Sequence, residues 1–342
     1  MPPSTFTQTT RSEAASKQAP EAQGASFLQW TLIATVFVTI TYFFGFVDLF
    51  IRGTFINGLC SAAEWAWQAW NPGANQEHSR LVPLISIGLV WYHRKKIRLA
   101  PKTSNIYGLL FVVAGIALFL LAARCLQPRF ALISLPFLLY GSVLFVWGKA
   151  VARTVQFPCA FLFFMVPIGA MEQATFQLQF IITAAIGHLS NLFGISIRAV
   201  GTTLTAVDGT FNFAIAEGCS GVRSLTAMTM LTAVYVHLAQ KQLWKKVSIL
   251  GLSIAFAIVG NIGRIFTVVL VAKFIDADLA AGLYHDYSGF VFFPIAVAAM
   301  VAVSNLFNAD WKNLYRRYYL SEDQRIRKAE EQRTGGPVSY DY

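Results

Sequence analysis

The stretch Val247–Ala272, VSILGLSIAFAIVGNIGRIFTVVLVA, is 26 residues long and carries a single charge, Arg264. At about 1.5 Å per residue, a helix of that length is about 39 Å long and crosses a hydrocarbon core of about 30 Å. The rest of the chain repeats the theme: of 342 residues, 56% are hydrophobic and 13% charged. With glycine counted in and tyrosine out, about 60% is apolar, against roughly 45–50% apolar and 25% charged in soluble domains. A chain this apolar lacks the polar surface to cover a soluble globule. That excludes a soluble enzyme, a disulfide-stapled secreted domain and a disordered chain, and leaves an all-α polytopic membrane protein.

Eight apolar runs read as spans: 27–47, 80–93, 105–123, 130–148, 155–171, 222–239, 247–271 and 287–307. The second is the weakest, since its apolar core from Leu81 to Tyr92 is short. Basic clusters set the orientation. They are Arg94 to Lys102, Lys149 with Arg153, Lys241 to Lys246, and Lys312 to Lys328. Eight spans put all four on the cytoplasmic side of the inner membrane, with both termini inside. The net charge of +10 is thus a matter of membrane topology and gives no indication of nucleic-acid binding. Residues 1–26 read as a disordered cytoplasmic tail, 27–309 as the membrane domain, and 310–342 as a basic cytoplasmic tail.

The external loops are then 48–79, 124–129, 172–221 and 272–286. Within the long one, residues 175–193 read as an external interfacial or re-entrant helix, with Phe176, Phe180, Ile181, Ala184, Ile186 and Leu189 as its apolar side. Alternation around Asp208-Gly209 then marks a short β-hairpin before helix 6. It leads into Glu217-Gly218-Cys219-Ser220-Gly221.

Three residues on the outer side carry chemistry. Cys219 stands between glycines at a helix start, where a thiolate is favoured and a ligand can approach the backbone. Taken alone, it is also what a small buried hydrophobe looks like. Arg264 lies roughly 25 Å along its span from the inner end. A cation inside a span costs about 2.5–3.5 kcal/mol on insertion scales, so it marks a functional site or a side chain snorkelling outward. Asn261, one turn earlier, is placed to hold it. His285, just outside the last span, can carry a proton or be an ordinary solvated loop histidine. Together a thiol, a guanidinium and an imidazole supply a nucleophile, an oxyanion partner and a general acid. Arg223 and Glu217 are candidate supporting residues. Cys60 and Cys125, near the outer face, lack flanking glycines, and Cys159 is near the inner end of helix 5; His78 and His188 are also outside and could replace His285. The four cysteines contain no CxxC, and no metal cluster or cofactor motif is evident.

The stretch Ala216-Glu217-Gly218-Cys219-Ser220-Gly221-Val222-Arg223-Ser224-Leu225 resembles the cysteine motif of the exosortase/archaeosortase family. Asn261-Ile262-Gly263-Arg264 resembles its Asn-x-x-Arg motif, and His285 falls where its third residue belongs. His78-Ser79-Arg80-Leu81-Val82-Pro83-Leu84-Ile85-Ser86 resembles its helix 2 segment, with Arg80 where glycine is common, and Phe157-Pro158 through Pro167 its helix 5. The resemblance implies a membrane-embedded cysteine transpeptidase with Cys219, Arg264 and His285 as its site and no cofactor. Its partners would be secreted proteins ending in a short motif, a transmembrane helix and a basic tail (PEP-CTERM-like signals), and a surface acceptor. Two other readings account for the apolar bulk: a transporter or lipid-linked-glycan handler using the buried Arg264, and a non-catalytic membrane scaffold. Neither gives Cys219 its glycines.

Overall fold

A computed structural model of the chain describes residues 27–51, 58–71, 76–167, 170–214 and 221–309, with short pieces of the tail between 319 and 333. The chain divides into two compact units, Met1–Ala174 and Thr175–Tyr342.

The first unit is built on helices α1 (Phe27–Gly45), α2 (Ala62–Ala69), α3 (Leu81–Tyr92), α4 (Arg94–Leu99), α5 (Tyr107–Cys125) and α6 (Pro128–Phe161). A two-stranded ribbon, β1 (Phe50–Ile51) with β2 (Leu59–Cys60), links α1 to α2. Glycines let α5 and α6 approach closely, as membrane helices require. A Cβ on Gly115 would stand 2.7 Å from Leu138 Cγ, and one on Gly141 would stand 2.8 Å from Phe111 Cβ. Helix α6 is broken at Gly148, whose φ of 79° and ψ of −173° are open to glycine. The loop before α5 fills the break: a Cβ on Gly148 would run into the Thr103 carbonyl oxygen, and the Asn105 amide donates to the Phe145 carbonyl at 3.2 Å. The chain leaves α6 through a 3₁₀ turn, Leu162–Met165, held by the Trp70 indole N–H donating to the Met165 carbonyl at 2.7 Å.

The second unit packs α7 (Ala170–Leu192, which enters it at Thr175), a three-stranded antiparallel sheet, α8 (Val222–Ala239), α9 (Leu243–Phe274), the single turn α10 (Ala277–Leu279) and α11 (His285–Asn308). Strands β3 (Ile197–Val200), β4 (Thr203–Ala206) and β5 (Asn212–Ala214) lie in chain order. Gly201 at φ 62° turns the first hairpin. In the second, Asp208 accepts from the Thr210 amide at 3.2 Å and pairs with Lys273 near the end of α9. One core joins Ile182 and Ile186 of α7, Leu204 of β4, Phe211 just before β5, and Ile265 and Val269 of α9. Another joins Met228 of α8, Ile249 and Ala257 of α9, and Met300 of α11. The Ser304 hydroxyl accepts from Tyr235 at 3.0 Å and from Gln240 Nε2 at 2.9 Å, tying α8 to α11.

Helices occupy all eight expected positions, but among the described residues five are long and apolar enough to cross a membrane: Phe27–Gly45, Tyr107–Cys125, Pro128–Met165, Leu243–Phe274 and Tyr287–Asn308. The chain is therefore a largely helical, multi-pass membrane protein. Helix α3 has 12 residues, about 18 Å, too short to span alone. Runs 130–148 and 155–171 are the two halves of one broken helix, and the second ends at Met165. The helix expected over 175–193 starts at Ala170. Gln179, Ile182, Thr183, Ile186, Gly187 and Ser190, at i, i+3, i+4 spacing, are buried, while Phe176, Phe180 and Ile181 face out. Ile182 and Ile186 pack into the core, and the exposed Phe176, Phe180 and Ile181 suit a helix in contact with lipid.

Candidate functional site

Arg264 is half-buried two-thirds of the way along α9. Its Nε donates to the Ser288 hydroxyl at 3.1 Å. Ser288 is 4% exposed, on the first turn of α11, three residues after His285. His285 itself opens α11, whereas the sequence reading placed it just outside that helix. A π-helical turn, Ala280–Tyr284, delivers it, with Gly282 bent to φ −96°, ψ −107°. Such turns recur at functional sites because they re-aim the helix that follows.

Asn261, one turn before Arg264, is 4% exposed. It lies against the start of α8: a Cβ on Gly221 would stand 2.7 Å from Asn261 Nδ2. Gly221 caps that helix at φ 80°, a left-handed conformation that costs a side chain energy. Small size and left-handed φ are therefore both needed there. The Ser224 hydroxyl donates to the Gly221 carbonyl at 3.0 Å. Ser224, Asn261, Arg264 and Gly289 line a cavity of about 40 Å³ closed by Met228, Ala257, Phe292 and Phe293. It has room for about two or three waters.

Cys219 and Glu217 lie outside the described residues. Helix α8, expected to carry Cys219 at its N-terminal end, begins at Val222. Arg223 is half-buried on its first turn. The structure thus brings Asn261 and Arg264 together around one cavity, with the helix that His285 opens on its far wall. Other candidates sit elsewhere. Cys60 is buried in the β1–β2 ribbon, Cys159 is buried in α6 and Cys125 is exposed at the end of α5. Arg80 stacks over Trp67 at 4.6 Å.

Two residues here were not singled out from sequence. Ser288 could have been found, since three residues after His285 places it on the same helical face. Ser224 could not, because nothing in its local sequence shows what its helix packs against.

Residues 67–302 match the family model described as transmembrane exosortase, a stretch that includes Cys219, Arg264 and His285. Neither a curated protein nor a solved structure was found to match. The matched stretch is well over half of the 342 residues, and the chain belongs to the transmembrane exosortase family.

Proposed function

We propose that this exosortase is a cysteine transpeptidase that removes C-terminal sorting signals from secreted proteins at the outer face of the inner membrane and passes the protein to a surface acceptor. The observation that carries this reading is the Arg264–Ser288 bond beside a small, part-polar cavity between α9 and α11. Gly221 is pressed against the same cavity's Asn261. Cys219 stands two residues before Gly221, so chain connectivity keeps their Cα atoms within about 7 Å.

Each residue then has a task. His285 takes the proton of the Cys219 thiol, and the thiolate attacks the scissile carbonyl. The new S–C bond leaves an oxyanion, which the Arg264 guanidinium stabilises without giving up a proton. Collapse breaks the C–N bond, and the leaving amine takes the proton from His285. A thioester remains on Cys219 until an acceptor amine or water attacks it, losing a proton to His285. Asn261 and Ser288 hold Arg264 in place, and Arg223 and Glu217 support the start of α8.

The topology that suits this chemistry has eight spans, with α3, the two halves of α6, and α8 as crossings alongside the more apolar helices. Both termini are cytoplasmic. Reporter fusions after Leu99 and Lys246 should read inside, and one within 200–210 outside. An external signal after Lys246 rejects that arrangement.

The direct test is Cys219→Ala. The protein should still insert, and substrates should keep their C-terminal helix. Cys60→Ala, Cys125→Ala and Cys159→Ala should process normally. Wild-type processing by Cys219→Ala refutes the reading.

A further inference from the structure

We infer that the first unit binds one anionic glycerophospholipid in a groove remote in sequence from the residues assigned to catalysis. The groove has a volume of about 890 Å³ and runs between α1, α3 and both halves of α6. Along α1 it extends from Trp30 to Gly45, about 22 Å. Half of a bilayer core is about 15 Å, so an acyl chain fits along it. Phe37, Ile40, Ile87, Leu139, Val143 and Pro158 make the walls apolar.

One end is different. Arg94, Arg98 and Lys102 line the groove there. That they share an end follows from the packing. Gln29 Nε2 donates to the Val146 carbonyl at 3.2 Å, and Thr103 abuts Gly148, so the starts of α1 and α5 and the break in α6 meet. Arg94 stacks on Trp91 at 4.5 Å and donates to its carbonyl at 3.1 Å, and Lys102 donates to the Arg98 carbonyl at 3.2 Å. Among the described residues none of these three cations has a carboxylate partner. Trp30 and Trp147 meet edge to face at 5.2 Å at the same end, where an interfacial belt places tryptophan. The Trp147 indole N–H is buried with no acceptor among the described residues. A buried donor without an acceptor is costly, and a glycerol-ester or phosphate oxygen supplies one.

Charge selects the occupant. Three cations over an apolar channel complement a phosphate diester with acyl chains, and basic pockets between helices take such head groups. A substrate helix followed by a basic tail would place like charge against Arg94, Arg98 and Lys102. The inference rests on the membrane fold alone and is independent of the role of Cys219.

Native mass spectrometry of the full chain in detergent, with added phosphatidylglycerol or phosphatidylethanolamine, tests it. One phosphatidylglycerol should be retained per chain, at least tenfold in preference to phosphatidylethanolamine. The triple variant Arg94→Gln, Arg98→Gln, Lys102→Gln should lose that preference. Val143→Trp, which fills the channel, should lose retention of both lipids. Thermal melts identify any variant that has unfolded, and the wild-type preference stands as a test without them. Equal retention of the two lipids by the wild type overturns the inference. So does a folded triple variant that keeps its preference, or displacement of the lipid by an equimolar peptide with an apolar helix and a basic tail.

Discussion

Arg264 is fastened by its Nε to the Ser288 hydroxyl at 3.1 Å, which ties α9 to α11 one helical turn from His285. The guanidinium is a planar fork, so a bond at Nε fixes the plane in which its terminal N–H groups lie. A fixed plane is what an oxyanion partner needs, because its donors must point where charge develops before it develops.

Ser288→Ala should therefore cost turnover more than binding. A hydrogen bond to a charged group contributes about 1.5–3 kcal/mol, so kcat should fall about ten- to hundredfold with KM little changed. Steady-state kinetics on a sorting-signal peptide in detergent checks this. A change confined to KM would show that Ser288 serves substrate binding rather than Arg264.

Two glycines test the backbone. Gly148→Ala drives a methyl into the Thr103 carbonyl oxygen, and no side chain can move to relieve it. Gly221→Ala meets Asn261 Nδ2 at 2.7 Å, which a side-chain shift relieves, plus about 1–2 kcal/mol for left-handed φ. Thermal melts should show the larger loss for Gly148→Ala, with poor yield of folded protein. Gly221→Ala should fold but process slowly, because Asn261 is displaced. A wild-type melting temperature for Gly148→Ala would contradict the close packing of the α6 break.

Arg264 and His285 should fail in different ways. Removing one oxyanion donor typically costs about 10²–10³ in rate, so Arg264→Ala should be slow on amide and ester alike. Arg264→Lys keeps the charge without the fork and should also be severely impaired. His285→Ala should be partly rescued by an activated ester, whose leaving group needs no proton. Burst kinetics with matched amide and ester substrates decides the point. Equal ester rescue of both alanine variants would refute separate roles.

The helices are legible in the sequence because a long apolar run with almost no charge is stable in lipid and poorly tolerated in water. Their number as crossings is less so. Leu81–Tyr92 and Val222–Ala239 form helices, yet the first is short and the second carries Arg223 and several Ser and Thr. Strand β3 escapes a reading by pattern because Ile197–Val200 is four residues with little alternation, and its partner lies across a turn at Gly201. Which side α7 turns inward is not legible in its own sequence, because polar Gln179 and Thr183 share that face with Ile182 and Ile186. Arg264 and Asn261 stand out because charge and amide are rare within an apolar run. Ser224 does not, since nothing in its local sequence shows what its helix packs against.

The most direct measurement is intact-mass and peptide mapping of the enzyme quenched during turnover of a sorting-signal peptide without added acceptor. A thioester of the substrate's new C-terminus should accumulate on the peptide that contains Cys219, and Arg264→Ala should suppress it. Substrate cleaved at the wild-type rate with no adduct on Cys219, or with the adduct on another residue, would contradict the account.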